Sequence, residues 1–129
     1  MMSCRRRWQA KFAVALRGAA RSMLTQDSFI VHLFFAFAVI AMATWLQLEA
    51  WRWAVLVIAI TMVLAGELVN TALETMVKKL HPEHDPEIGH ALDAAAGSVL
   101  VASMGAVILG LITMGVPLYQ ACWELWGNR

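Results

Sequence analysis

Phe29 to Leu48 runs almost without a polar side chain, interrupted only by His32, Thr44 and Gln47. Its length matches the roughly 20 residues an α-helix needs to cross the hydrocarbon core of a bilayer. Backbone polar groups in lipid must be satisfied within the segment, so a run of this kind folds as a helix. The class is all-α integral membrane. Composition agrees: 60% of the 129 residues are hydrophobic and 15% charged, against about 45–50% and about 25% in a soluble domain. The length predicts a single membrane domain, 1–129.

Two further spans are predicted over 52–79 and 91–116, after a first over 29–48. Leu46 to Trp53 reads as a short turn, with Trp45, Trp51 and Trp53 as an aromatic belt at one interface. The turn is too short for a domain, so the second span returns antiparallel. Only its first half, Ala54 to Ala65, is fully lipid-compatible. In the third span Ala94, Ser98, Ala102, Ala106 and Gly110 recur every four residues. Such a small-residue stripe lets helix backbones approach closely in lipid. Pro117 is expected to loosen or end that helix, with Trp123 and Trp126 as the last anchors.

Residues 5–24 read as an amphipathic surface helix. Trp8, Phe12, Ala15, Leu16, Ala19 and Met23 share one side of a helical wheel, while Arg6, Arg7, Lys11, Arg17 and Arg21 fall mostly on the other. A helix patterned in this way lies in the interface with its cations toward anionic headgroups. It can serve as a topology anchor or as a flap over a surface site. No clean apolar core with a cleavage site follows the basic start, so no signal peptide is expected. Six of the ten Lys and Arg lie in this arm, two more are Lys78 and Lys79, and only Arg52 and Arg129 fall on the other side. The positive-inside rule therefore places the N-terminus and the loop after Lys79 in the cytoplasm. Cys4 and Cys122 then lie on opposite sides of the membrane, and no intrachain disulfide is expected. Gln26, Asp27 and Ser28 are candidate caps of the first span, and His32 a polar residue reaching the interface. His81 to His90, broken by two prolines and a glycine, reads as a solvated loop without zinc-type ligand spacing.

The chemistry concentrates where the second span ends. Glu67, Asn70, Thr71 and Glu74 stand at i, i+3, i+4 and i+7, so a helix carries them as one stripe. Asp93 returns to the same surface at the start of the third span. Ionisable groups at membrane depth face a bundle interior or a wet cleft when they are kept for function. The alternative is an ordinary solvated helix end in the headgroup layer. A partly desolvated carboxylate is a competent general base, and Glu67 is the deepest of the three acids. Glu74 and Asp93, nearer water, suit Mg²⁺ held together with substrate phosphates. Lys78, Lys79 and the N-terminal arginines supply phosphate-neutralising charge. There is no Walker A loop and no kinase Gly-rich or catalytic loop, so a nucleotide enzyme here must be of a membrane-embedded type. Three spans hardly enclose a site, so oligomerisation is expected.

Glu67-Leu68-Val69-Asn70-Thr71-Ala72-Leu73-Glu74, followed by Asp93-Ala94-Ala95-Ala96-Gly97-Ser98-Val99, resembles the motif of the prokaryotic integral-membrane diacylglycerol kinase and undecaprenol kinase family. The resemblance covers Leu16 to Ile112. It implies a homotrimer in the inner (cytoplasmic) membrane of a prokaryote, each subunit with a surface helix and three spans. It also implies transfer of the ATP γ-phosphate to a lipid hydroxyl with Mg²⁺, with no nucleic-acid partner. Carried over, Glu67 matches the general base and Asn70 a residue orienting the active site. Glu74 matches a metal-binding carboxylate, and Asp93, with Glu74 and Lys78, the nucleotide-binding set. Arg17, Gly18, Glu67 and Ser98 match the lipid side.

The chain departs from that pattern at four positions. Gln26 stands where the family has a metal-binding Glu, and the neighbouring Asp27 points about 100° away on a helix. Leu92 stands where a Lys contacts ATP phosphates. Ile30 replaces an Arg, and Lys78 replaces an acidic residue and is a candidate for the missing cation. Loss of a preorganised phosphate clamp costs orders of magnitude in rate. Besides a rebuilt kinase, the departures therefore leave open a catalytically degenerate member that binds lipid or nucleotide, or acts as a structural membrane subunit. A small transporter using Glu67 and Asn70 is disfavoured, because the acids cluster at one surface.

Overall fold

The computed structural model describes residues 4–81, 83 and 85–127, with the side chains of 4–7, 24 and 25 excluded. The expectations for Cys4, Arg5, Arg6 and Arg7 as side chains, and for Pro82, His84 and Arg129, lie outside the described residues. The described chain is entirely helical apart from turns: α1 (Cys4–Thr25), α2 (Asp27–Trp45), α3 (Ala50–Leu80) and α4 (Pro86–Gly127). Three of these, α2, α3 and α4, are long and apolar enough to cross a membrane.

α3 is the central helix. α4 packs along it, α2 packs on it less extensively, and α1 touches both α2 and α3. The buried apolar set is small, including Phe29, Ala36, Ala43, Leu56, Ala59, Val63 and Val99, while long apolar side chains on every helix stay exposed. A water-soluble domain cannot tolerate that surface, but between helices in lipid close packing replaces hydrophobic burial as the driving force. Two contacts define how α4 lies on α3. A Cβ placed on Gly66 would stand 3.7 Å from Val99 Cγ2, and the Arg52 guanidinium donates to the Thr113 carbonyl. Arg52 precedes Gly66 by as many residues as Thr113 follows Val99, so the pair runs antiparallel in one continuous register. Ala102, Ala106 and Gly110 lie on the inward side of α4, whereas Ala94 and Ser98 are exposed.

The turn between α2 and α3 ends the first helix with a Schellman motif. Gln47 N–H donates to Thr44 O (3.2 Å) and Leu48 N–H to Ala43 O (3.2 Å). Leu48 and Ala43 then join Leu56 in one buried apolar cluster. The motif needs a left-handed residue, and Gln47 supplies it at φ 49°. A side chain there costs about 1 kcal/mol that glycine avoids. Gln47→Gly is therefore expected to raise the thermal midpoint in detergent, and Gln47→Val to lower it.

Three local expectations are corrected. The loop after α3 is shorter than His81–His90, because α4 already begins at Pro86. Asp85 caps it, its Oδ1 accepting from Glu87 N (2.8 Å) and Ile88 N (3.4 Å). Pro86 follows at the first helical position, where a missing N–H costs nothing. Pro117 does not end α4, which runs on to Gly127. A proline deprives the carbonyl four residues earlier of its helix bond. Here that carbonyl belongs to Thr113, the acceptor of the Arg52 guanidinium. Finally, Gln26 occupies the N-cap of α2 but makes no side-chain capping bond, and Ser28 points its hydroxyl elsewhere.

Candidate active site

The polar stripe of α3 is half buried by its neighbours and half open. Glu67, Asn70 and Thr71 are all buried, and Glu74 is 35% exposed at its side chain. The solvated-helix-end alternative therefore describes Glu74 and Lys78 but not Glu67. Isolated ionised carboxylates are not buried without partners, and Glu67 has two, both from α2. Ser28 Oγ donates to Glu67 Oε1. His32 Nε2 stands 3.9 Å from Oε2. The buried Phe29, between them in sequence, packs α2 into the bundle at this level.

One turn further along α3, Asn70 Nδ2 donates to Glu74 Oε1 at 3.1 Å. Lys78 Nζ holds Glu74 Oε2 at 3.2 Å. Asn70 Oδ1 is buried and accepts no hydrogen bond from the described residues. A buried acceptor without a donor is an unmet demand worth about 1–3 kcal/mol. It is the kind of oxygen that a hydroxyl, a cation or a partner side chain would satisfy. No group of three His, Cys, Asp or Glu side chains converges among the described residues.

The α3–α4 register sets Asp93 level with Ala72, between Asn70 and Glu74, and Leu92 level with Leu73. Asp93 thus shares the depth of the stripe, but it is exposed and makes no bond among the described residues. Ser98 is also exposed, its hydroxyl turned back to Ala95 O at 2.6 Å. On α1, Arg17 is exposed and donates from Nε to Ala13 O at 3.2 Å. A Cβ added to Gly18 would meet nothing within 4 Å among the described residues. The structure thus gathers Glu67, Asn70, Glu74 and Lys78, and leaves Asp93, Ser98, Arg17 and Gly18 outside direct contact with them.

Ser28 and His32 are the residues that sequence reasoning did not assign to the site. Their signal was present: they are four apart, so they share a face of α2. They also lie at the end of α2 that an antiparallel α3 brings to Glu67. A groove of about 470 Å³ opens beside His32, between α2, α3 and α4. It is apolar along its length, including Phe35, Val39, Ile60 and Met114, with His32 at one end and Ser103 on the α4 wall.

The prokaryotic diacylglycerol kinase family matches residues 13–114. A diacylglycerol kinase of Synechocystis sp. is 40% identical over 108 residues, which cover 83% of this chain and 62% of that protein. An undecaprenol kinase of Bacillus subtilis is 32% identical over 106 residues, covering 82% of this chain and 86% of that protein. A diacylglycerol kinase of Escherichia coli is 29% identical over 75 residues, 58% of this chain and 62% of that one. The chain thus spans less than two thirds of the length of the Synechocystis protein. Three apolar helices, a stripe with one buried carboxylate and these matches converge, and the chain belongs to the prokaryotic diacylglycerol kinase family.

Proposed function

We propose that the protein transfers the γ-phosphate of ATP to the hydroxyl of a membrane lipid, diacylglycerol or undecaprenol, at the cytoplasmic interface. Glu67 is the general base. The observation that carries this reading is the setting of Glu67: a buried carboxylate with one oxygen held by Ser28 and the other left without a hydrogen bond among the described residues. An anchored base with one free oxygen is what proton abstraction from a hydroxyl requires. Phosphoryl transfer otherwise needs positioning and charge neutralisation more than covalent chemistry from the protein.

Asn70 holds Glu74 through Nδ2, and its own Oδ1 is buried without a donor among the described residues. Glu74 would be the carboxylate that holds Mg²⁺ together with ATP phosphate oxygens, since Mg²⁺ takes one or two carboxylates plus phosphate oxygens. When bound with ATP, the ion neutralises phosphate charge. Lys78, one turn beyond Glu74, supplies a cation on the nucleotide side in place of the lysine that Leu92 lacks. Asp93 shares the depth of the stripe yet does not touch it within one chain. A homotrimer would let it face the stripe of a neighbouring copy. α1 lies in the cytoplasmic interface, its exposed Trp8, Phe12 and Leu16 in the lipid, with Arg17 and Gly18 near the lipid headgroup.

The test is purified protein in mixed micelles with radiolabelled ATP, Mg²⁺ and either lipid. Label is expected in one of the two lipids and is lost with a chelator. Because Gln26 and Leu92 depart from the family pattern, Gln26→Glu with Leu92→Lys is expected to raise the rate by about tenfold or more. Intact lipid binding with no transfer, in both the native and the restored protein, would instead identify a degenerate member.

A further inference from the structure

A buried base that takes a proton on every turnover must lose it before the next. The Glu67 side chain is only 4% exposed, so it cannot pass a proton directly to bulk water. Of its two partners, Ser28 already donates its hydroxyl hydrogen to Oε1. The other is His32, whose Nε2 lies 3.9 Å from Oε2 and whose side chain is 22% exposed. That separation is one a bridging water or a tightened catalytic complex closes. Around His32 the groove is apolar, with Ser103 of α4 the only other polar side chain lining it among the described residues. Glu67 is therefore the acid that faces the imidazole, and the imidazole, one turn from the start of α2, is the more exposed of the two.

We propose that His32 is a proton-accepting positioning residue that resets Glu67 after each transfer, with Ser28 selecting which oxygen is used. The inference rests on the reading of Glu67 as general base. As the lipid oxygen bonds to phosphorus, its O–H bond breaks and the proton goes to Glu67 Oε2. That acid then passes the proton to His32 Nε2. The imidazolium so formed releases a proton to water at the interface, and both groups return to their starting state. Ser28 stays bonded to Oε1 throughout, so Oε2 remains the working oxygen.

His32→Ala is expected to lower kcat by about ten- to a hundredfold with little change in the KM for lipid. Added imidazole is expected to restore kcat in a concentration-dependent way. His32→Asn keeps a polar side chain but accepts no proton, and is expected to be as slow as His32→Ala. Independently of turnover, the ring ¹⁵N resonances of His32 are expected to move in Glu67→Gln. Wild-type kcat in His32→Ala, full activity in His32→Asn, no recovery with imidazole, or unmoved resonances each overturn the proposal. A Glu67→Gln variant that remained active would fail the general-base reading itself, a result distinct from any of these.

Discussion

Glu67→Gln is expected to yield a protein that assembles and melts normally in detergent yet transfers phosphate at least about a hundredfold more slowly, the scale of a lost general base. The substitution is nearly isosteric, and the amide oxygen can still accept the Ser28 hydroxyl bond seen at Oε1. What it removes is the ability of the other oxygen to take a proton. The readout is single-turnover transfer to lipid, with binding of lipid and nucleotide measured separately. If binding is retained and chemistry lost, Glu67 acts in the transition state and not in uniform binding. A rate within about threefold of wild type, far short of a lost general base, would remove Glu67 from the mechanism, and with it the functional reading of the stripe. Glu67→Ala is the poorer experiment, because it leaves the Ser28 hydroxyl and His32 without their partner and perturbs α2–α3 packing as well.

The second large effect lies at the opposite end of the bundle. Arg52→Met is expected to destabilise the protein by about 1–3 kcal/mol, because it strands the Thr113 carbonyl that Pro117 already deprives of a helix donor. In a Pro117→Ala background the helix supplies its own N–H to that carbonyl, and Arg52→Met should then cost clearly less. The coupling expected from the double-mutant cycle is on the order of 1 kcal/mol. Thermal unfolding of the four proteins in one detergent measures it. Equal costs in both backgrounds would show that Arg52 acts through Glu49, 3.9 Å away, or through the Trp51 ring 4.7 Å from its guanidinium carbon. Phosphoryl transfer should change little, since Arg52 stands far along α3 from Glu67.

The same pair explains two features that looked unrelated in the sequence. Arg52 sits in the turn region away from most of the other cations, and Pro117 stands inside a long helix. Each is unfavourable alone: a proline breaks a helix bond, and an arginine near an apolar bundle needs an acceptor. Together they satisfy one another, and α4 continues to Gly127.

Much of the molecule was legible in advance because its determinants are local. A run of apolar residues of bilayer length makes a spanning helix whatever its neighbours do, and spacing of three and four puts Glu67, Asn70 and Glu74 on one stripe. The Asp85-Pro86 cap was overlooked, because Pro82, Pro86 and the histidines carried the loop reading too far along the chain. Contacts between helices were not legible. Whether Ser28 and His32 meet Glu67 depends on how α2 is rotated and slid against α3, and no periodicity within α2 encodes that setting. A one-residue change in register would turn both side chains about 100° away. The residues themselves thus dictate a bundle of membrane helices with a carboxylate stripe at one end. Only the packed arrangement shows that α2 supplies the partners of Glu67 and α3 the donor for the Thr113 carbonyl, because those bonds join residues far apart in the chain.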